Sequence, residues 1–110
     1  MKNMKMIIAI LNADDAPSVI QHLMKEGYSV TRLSTTGGFL RAGNVTILIG
    51  VDEQHVQGVI EIIGKYSKSR KQVIPTTSEA GINFYPSMPV EVVVGGATVF
   101  VLNVERFEKV

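Results

Sequence analysis

The stretch Met4-Lys5-Met6-Ile7-Ile8-Ala9-Ile10-Leu11-Asn12-Ala13-Asp14-Asp15-Ala16-Pro17 decides how the chain folds. From Met4 to Leu11 it is a largely apolar run rich in β-branched residues, the pattern of a buried strand. Asn12 to Asp15 supply turn and N-cap chemistry, and Pro17 suits the first turn of a helix, where a missing N–H costs nothing. Val19, Ile20, Leu23 and Met24 then recur at helical spacing, and Gly27 stands where a left-handed residue stops a helix. A strand, a tight turn and an amphipathic helix imply a sheet for the helix to cover.

Working outward, Tyr28 to Ser34 reads as a second strand. Val45, Ile47, Ile49 and Val51 alternate with Asn44, Thr46, Leu48 and Gly50 in a third, one face of which is strongly apolar. Asp52 is placed to cap a second helix whose stripe is Val56, Val59, Ile60 and Ile63, with Ile62 and Tyr66 beside it. Residues 64–89 are poorly patterned, apart from a short strand at Gln72-Val73-Ile74, and a segment of that length is often functional or mobile. Val90 to Val94 and Ala97 to Val104 flank Gly95-Gly96, the pattern of a two-residue hairpin. The expectation is one domain, residues 1–110, of the α+β class: a ferredoxin-like βαββαβ sandwich with an extra C-terminal strand.

Composition narrows the function. Apolar residues are 45% of the 110 and charged residues 19%, too apolar for disorder and rich enough that partner subunits are expected to cover some of the surface. A formal net charge of +1 provides no broad field for binding polymeric nucleic acid or a membrane, so an anionic ligand must be met locally. The absence of cysteine excludes disulfides and thiolate chemistry. The apolar run Met6 to Leu11 is too short to span a bilayer and is followed by acidic residues instead of a cleavage site, so it is expected to be a buried strand of a cytoplasmic protein.

No catalytic constellation emerges. His22 and His55 lack neighbours at a spacing that builds a metal site or a nucleophile pair, and each is expected to be a solvated helix position. The basic residues Lys65, Lys68, Arg70 and Lys71 at a helix exit suit the helix dipole and need no ligand. Phe84 and Tyr85 in the long segment could meet an adenine or a partner, or simply pack on the sheet edge. The loop Thr35-Thr36-Gly37-Gly38-Phe39-Leu40-Arg41-Ala42-Gly43 is the best candidate. Glycines let backbone N–H groups converge on a phosphate, Thr31, Thr35 and Thr36 offer hydroxyls, Arg41 a charge, and Phe39 a stacking surface. The competing reading is a turn whose Phe39 and Leu40 tuck into the core or a neighbouring subunit. Gly95-Gly96 reads first as a turn.

The string Thr31-Arg32-Leu33-Ser34-Thr35-Thr36-Gly37-Gly38-Phe39-Leu40-Arg41-Ala42-Gly43-Asn44 resembles the signature of the PII-like cyclic-di-AMP receptor family, as does Pro89-Val90-Glu91-Val92-Val93-Val94-Gly95-Gly96-Ala97-Thr98-Val99-Phe100-Val101. The resemblance spans essentially the whole chain and is weakest over 67–88. It implies a homotrimer of PII-like subunits in signal transduction, with one cyclic di-AMP in each cleft between neighbours and neither catalysis nor a cofactor. It further implies that Thr31, Phe39, Leu40, Asn44 and Gly50 contact the ligand, that Gly37 and Gly38 shape the loop, and that Gly95 and Gly96 lie near the same cleft. Family members often carry a basic residue two positions before the threonine, whereas Ser29 stands here, so a phosphate contact is lost or moved. Arg32 falls on the opposite strand face from Thr31 and is an imperfect substitute. The end of the chain, from Phe107 to Val110, also departs from a ligand-contacting tail.

The leading expectation is a receptor that signals through rearrangement of its loops to a downstream protein. The alternative is a PII-like trimeric adaptor that binds ATP or ADP, or only a protein partner. A metal-dependent phosphoesterase ranks last, because no carboxylate or histidine cluster can be assembled for it.

Overall fold

The structure is a computed structural model that describes residues 3–33, 43–74 and 90–110. Its elements run β1 (Met4–Asn12), α1 (Ala16–Lys25), β2 (Val30–Leu33), β3 (Asn44–Asp52), a single 3-10 turn (Glu53–His55), α2 (Val56–Tyr66), β4 (Arg70–Ile74), β5 (Val90–Val94) and β6 (Ala97–Asn103). Four strands form an antiparallel sheet in the order β2-β3-β1-β6, and β4 pairs with β5 in a separate two-stranded ribbon. The four-stranded order with two helices on one face is the ferredoxin-like arrangement the sequence predicts. No helix among the described residues is long and apolar enough to cross a membrane.

Strand periodicity decides what is buried. Ile7, Ala9 and Leu11 of β1 and Val45, Ile47, Ile49 and Val51 of β3 project toward the helices and form the core with Ala16, Val19 and Leu23 of α1 and Val59 and Ile63 of α2. Met24, expected in the helix stripe, is 60% exposed, because Ala16, Val19 and Leu23 already complete the buried face of so short a helix. α1 ends as expected: Gly27 has φ +91°, and the N–H groups of Gly27 and Tyr28 reach back to the carbonyls of Met24 and Leu23 at 2.9 and 3.1 Å.

The opposite face of the sheet carries no helix. Met6, Ile8 and Ile10 of β1, Thr46 and Leu48 of β3, Phe100 and Leu102 of β6, and Leu33 of β2 all fall on it by register. Phe100 is 51% exposed and Leu102 46%. Among the described residues, neither helix covers this apolar face.

The hairpin expected at Gly95-Gly96 does not form. β5 pairs with β4, and β6 leaves to pair with β1, from Lys5↔Asn103 to Leu11↔Ala97. Both glycines have positive φ, +83° and +79°, but they carry the chain from the ribbon into the main sheet instead of folding it back on itself. The free edge of β1 decides the outcome: a central strand with β3 on one side has a full row of backbone groups left to pair. The last strand is accordingly the fourth member of the ferredoxin-like sheet, and the addition to that fold is the ribbon β4–β5, not an extra C-terminal strand.

Candidate functional site

One corner of the main sheet gathers several of the predicted residues. Asn12, the last residue of β1, is paired with Asn44, the first of β3, and the Ala13 N–H donates to the Gly43 carbonyl at 2.6 Å just beyond them. Gly43, just before β3, is thereby fastened to the turn that follows β1. The Gly95-Gly96 link passes the same corner as it enters β6, and Thr98 sits opposite Ile10. Together Asn12, Asn44, Gly95, Gly96 and Thr98 line a recess of about 430 Å³. Its polar groups are amides, a hydroxyl and backbone, with no full charge among the lining residues.

Local chemistry explains the shape of this corner. The Asn12 Oδ1 accepts a hydrogen bond from the Asp14 N–H at 2.8 Å, an Asx turn that starts the descent into α1. Asp15 occupies the N-cap position but makes no side-chain cap hydrogen bond. Its carboxylate pairs with the Arg70 guanidinium at 3.2 Å, so Arg70 is not the freely solvated cation expected from the basic cluster. Lys71 pairs with Glu91 across the ribbon at 3.3 Å, and Lys65 lies 5.4 Å from the Tyr66 ring centre.

Of the predicted ligand contacts, Asn44, Gly95 and Gly96 converge here. Thr31 and Gly50 do not. Thr31 pairs with Leu48, which makes Gly50 its diagonal neighbour on the open face, toward the far end of β3. Gly50 lies six residue steps along the strand from Asn44, about 20 Å at the usual rise. Gly50 instead borders a second recess of about 350 Å³ with Tyr28, Ser29, Asp52 and His55. Arg32 pairs with Ile47 on the helix-side face, away from Thr31, as its parity predicts. Thr35, Thr36, Gly37, Gly38, Phe39 and Leu40, with Arg41, lie outside the described residues, as do Phe84 and Tyr85.

Asn12 and Thr98, which also line the recess, are not among the residues the sequence points to. Asn12 reads as ordinary turn chemistry and Thr98 as a strand residue beside a turn. Only the pairing of β6 with β1 brings them together, and the false hairpin signal concealed that pairing. Of the histidines, His55 is exposed as expected and meets Tyr28 edge-on at 6.0 Å, whereas His22 is half-buried, stacks on Tyr66 with ring centres 3.6 Å apart and lies 2.7 Å from the Ser18 carbonyl. Among the described residues no group of three or more histidines and carboxylates is arranged to hold a metal ion.

The fold has solved counterparts. A functionally unknown protein from Pediococcus pentosaceus ATCC 25745 is 39% identical over the whole of both chains, with a TM-score of 0.74. Arabidopsis thaliana PII bound to citrate is 20% identical, covering 94% of this chain and 77% of that one, with a TM-score of 0.54. The B. subtilis GlnK–ATP complex is also 20% identical, covering 93% and 84%, with a TM-score of 0.52. The chain thus has the ferredoxin-like architecture of the PII proteins. The sequence model of the cyclic-di-AMP receptors matches residues 4–110, and the chain belongs to that family.

Proposed function

We propose that the chain is a receptor for cyclic di-AMP, that it binds the nucleotide in clefts between the subunits of a homotrimer, and that it signals through rearrangement of its loops without chemistry on the ligand. The family supports the ligand. The observation that carries the assembly is the open face of the sheet, where Phe100, Leu102 and Leu33 remain exposed beside Met6, Ile8 and Leu48. A second and third copy of the chain supply the cover that the helices do not. The two sets of contacts, Asn44 with Gly95-Gly96 and Thr31 with Gly50, stand toward opposite ends of one sheet. A cleft made from neighbouring copies can present both to one ligand, and Phe39 and Leu40 are the further contacts that the resemblance implies.

The recess chemistry supports a neutral mode of recognition. Cyclic di-AMP carries two adenines and two phosphodiesters, and wants stacking surface, amide donors and few full charges. Asn44 offers a donor and an acceptor to an adenine edge, and Asn12 and Thr98 add polar groups beside it. The backbone of Gly95-Gly96 borders the same recess.

Calorimetric titration with cyclic di-AMP, cyclic di-GMP, ATP and ADP tests this. The expected result is one cyclic di-AMP per chain, bound in preference to the others and recovered unchanged by chromatography. Asn44→Ala and Phe39→Ala should each weaken it by about tenfold or more, since a lost polar partner or stacking surface costs roughly 1–3 kcal/mol. Binding of ATP or ADP with equal or greater affinity would favour the adaptor reading. No heat and no melting shift with any nucleotide would leave only a protein-binding adaptor.

A further inference from the structure

The Gly95-Gly96 link is backed by a contact that sequence spacing gives no hint of. Arg70, the first residue of β4, meets Asp15 at two points: Nη2 lies 3.2 Å from Oδ1, and Nη1 donates to Oδ2 at 3.3 Å. The same Nη1 donates to the Lys68 carbonyl at 3.2 Å. The Asp15 side chain is 10% exposed and that of Arg70 46%, so the pair sits where the surface turns inward. Gly95 lies directly against it. A Cβ at position 95 would fall 2.6 Å from Arg70 Nη1, 2.6 Å from the Lys68 oxygen and 3.3 Å from Asp15 Oδ2.

Three separate segments meet at this point: the turn after β1, the base of the ribbon and the link into β6. The first and third carry Asn12 and Gly95-Gly96 and line the recess, whereas neither Asp15 nor Arg70 does. A two-point guanidinium–carboxylate pair fixes direction as well as distance. We propose that Asp15 and Arg70 are positioning residues for the nucleotide recess: their ion pair holds the Gly95-Gly96 link against the Asn12 turn and so sets the distance between the two walls a ligand must touch. Two further observations favour this. Asp15 forgoes the helix cap its position offers, and little else among the described residues packs against the ribbon.

The proposal rests on the ligand reading above, and two measurements keep the two apart. In the first, cyclic di-AMP is titrated into the trimer carrying Asp15→Asn, Arg70→Gln or both. Each single change should weaken binding about five- to tenfold, and the double variant should be no weaker than either single one, because each already breaks the unit. In the second, amide exchange is followed by NMR in the ligand-free protein. Gly95, Gly96 and Ala97 should exchange faster in the variants while Ile7 and Ile47 in the core do not change. Additive losses in the double variant, or unchanged exchange from Gly95 to Ala97, would overturn the proposal. If the wild-type protein fails to bind cyclic di-AMP, the ligand reading fails by itself and exchange alone decides the clamp. If Asp15→Asn does not fold, Arg70→Lys replaces it; keeping the charge without the two-point geometry, it should still raise exchange at Gly95.

Discussion

Phe100→Asp puts the open face to its most direct test. Phe100 projects from β6 opposite Ile8, on the side of the sheet away from the helices, and is 51% exposed in the single chain. A phenylalanine buries about 150–250 Å² when fully covered, so roughly 100 Å² remains to be covered by assembly. At ~25 cal/mol per Å² that is about 2.5 kcal/mol per subunit, or about 7–8 kcal/mol over three. The substitution removes this and places a carboxylate where apolar neighbours meet, which adds several kcal/mol of desolvation for each ion. The monomer itself should lose little, because the core, with Ile7, Ile47 and Ile49 fully buried, is on the other face. Sedimentation velocity at micromolar concentration should find the wild-type protein at the mass of three chains and Phe100→Asp at the mass of one, with the same far-ultraviolet circular dichroism. A Phe100→Asp trimer that dissociates no more readily than wild type would refute the reasoning, as would a wild-type protein that stays monomeric.

Two further predictions concern stability. Gly95→Ala combines a left-handed backbone, φ +83°, with a contact 2.6 Å from the Lys68 carbonyl, which cannot swing aside as a side chain can. The left-handed conformation alone costs about 1–2 kcal/mol, so thermal unfolding should fall by roughly 5–10 °C or more. Ile47→Ala, at a position with no exposure, should lower the urea midpoint by the equivalent of about 2–5 kcal/mol.

The elements of the main sheet were legible in the sequence because one face is buried and the period of alternation names it. Val45, Ile47, Ile49 and Val51 differ from Asn44, Thr46, Leu48 and Gly50 in just the way the structure separates them. The path of the chain after α2 was harder to read. Two alternating strands around Gly-Gly carry the local chemistry of a hairpin, and nothing local records that β1 has an edge waiting for β6. Strand pairing is a long-range property, and Leu11↔Ala97 spans most of the chain. The candidate recess divided in the same way. Asn44 and Gly95-Gly96 were named through the family resemblance, whereas Asn12 and Thr98 needed the pairing, and the Asp15–Arg70 contact needed the folded turn. Arg70 looked like one of four similar cations until geometry selected it.

The ribbon β4–β5 is a lever with its fulcrum at two glycines. Each strand has five residues, and at the usual rise of about 3.4 Å the arm from Val94 to Val90 is some 14–17 Å long. A rotation of about 10° at Gly95-Gly96 would carry the Ile74 and Val90 ends through roughly 3 Å by that geometry, a displacement a partner surface can register. The recess lies at the fulcrum, so under the proposed function a ligand that altered the link by a few tenths of an ångström would act with mechanical advantage on whatever the far end touches.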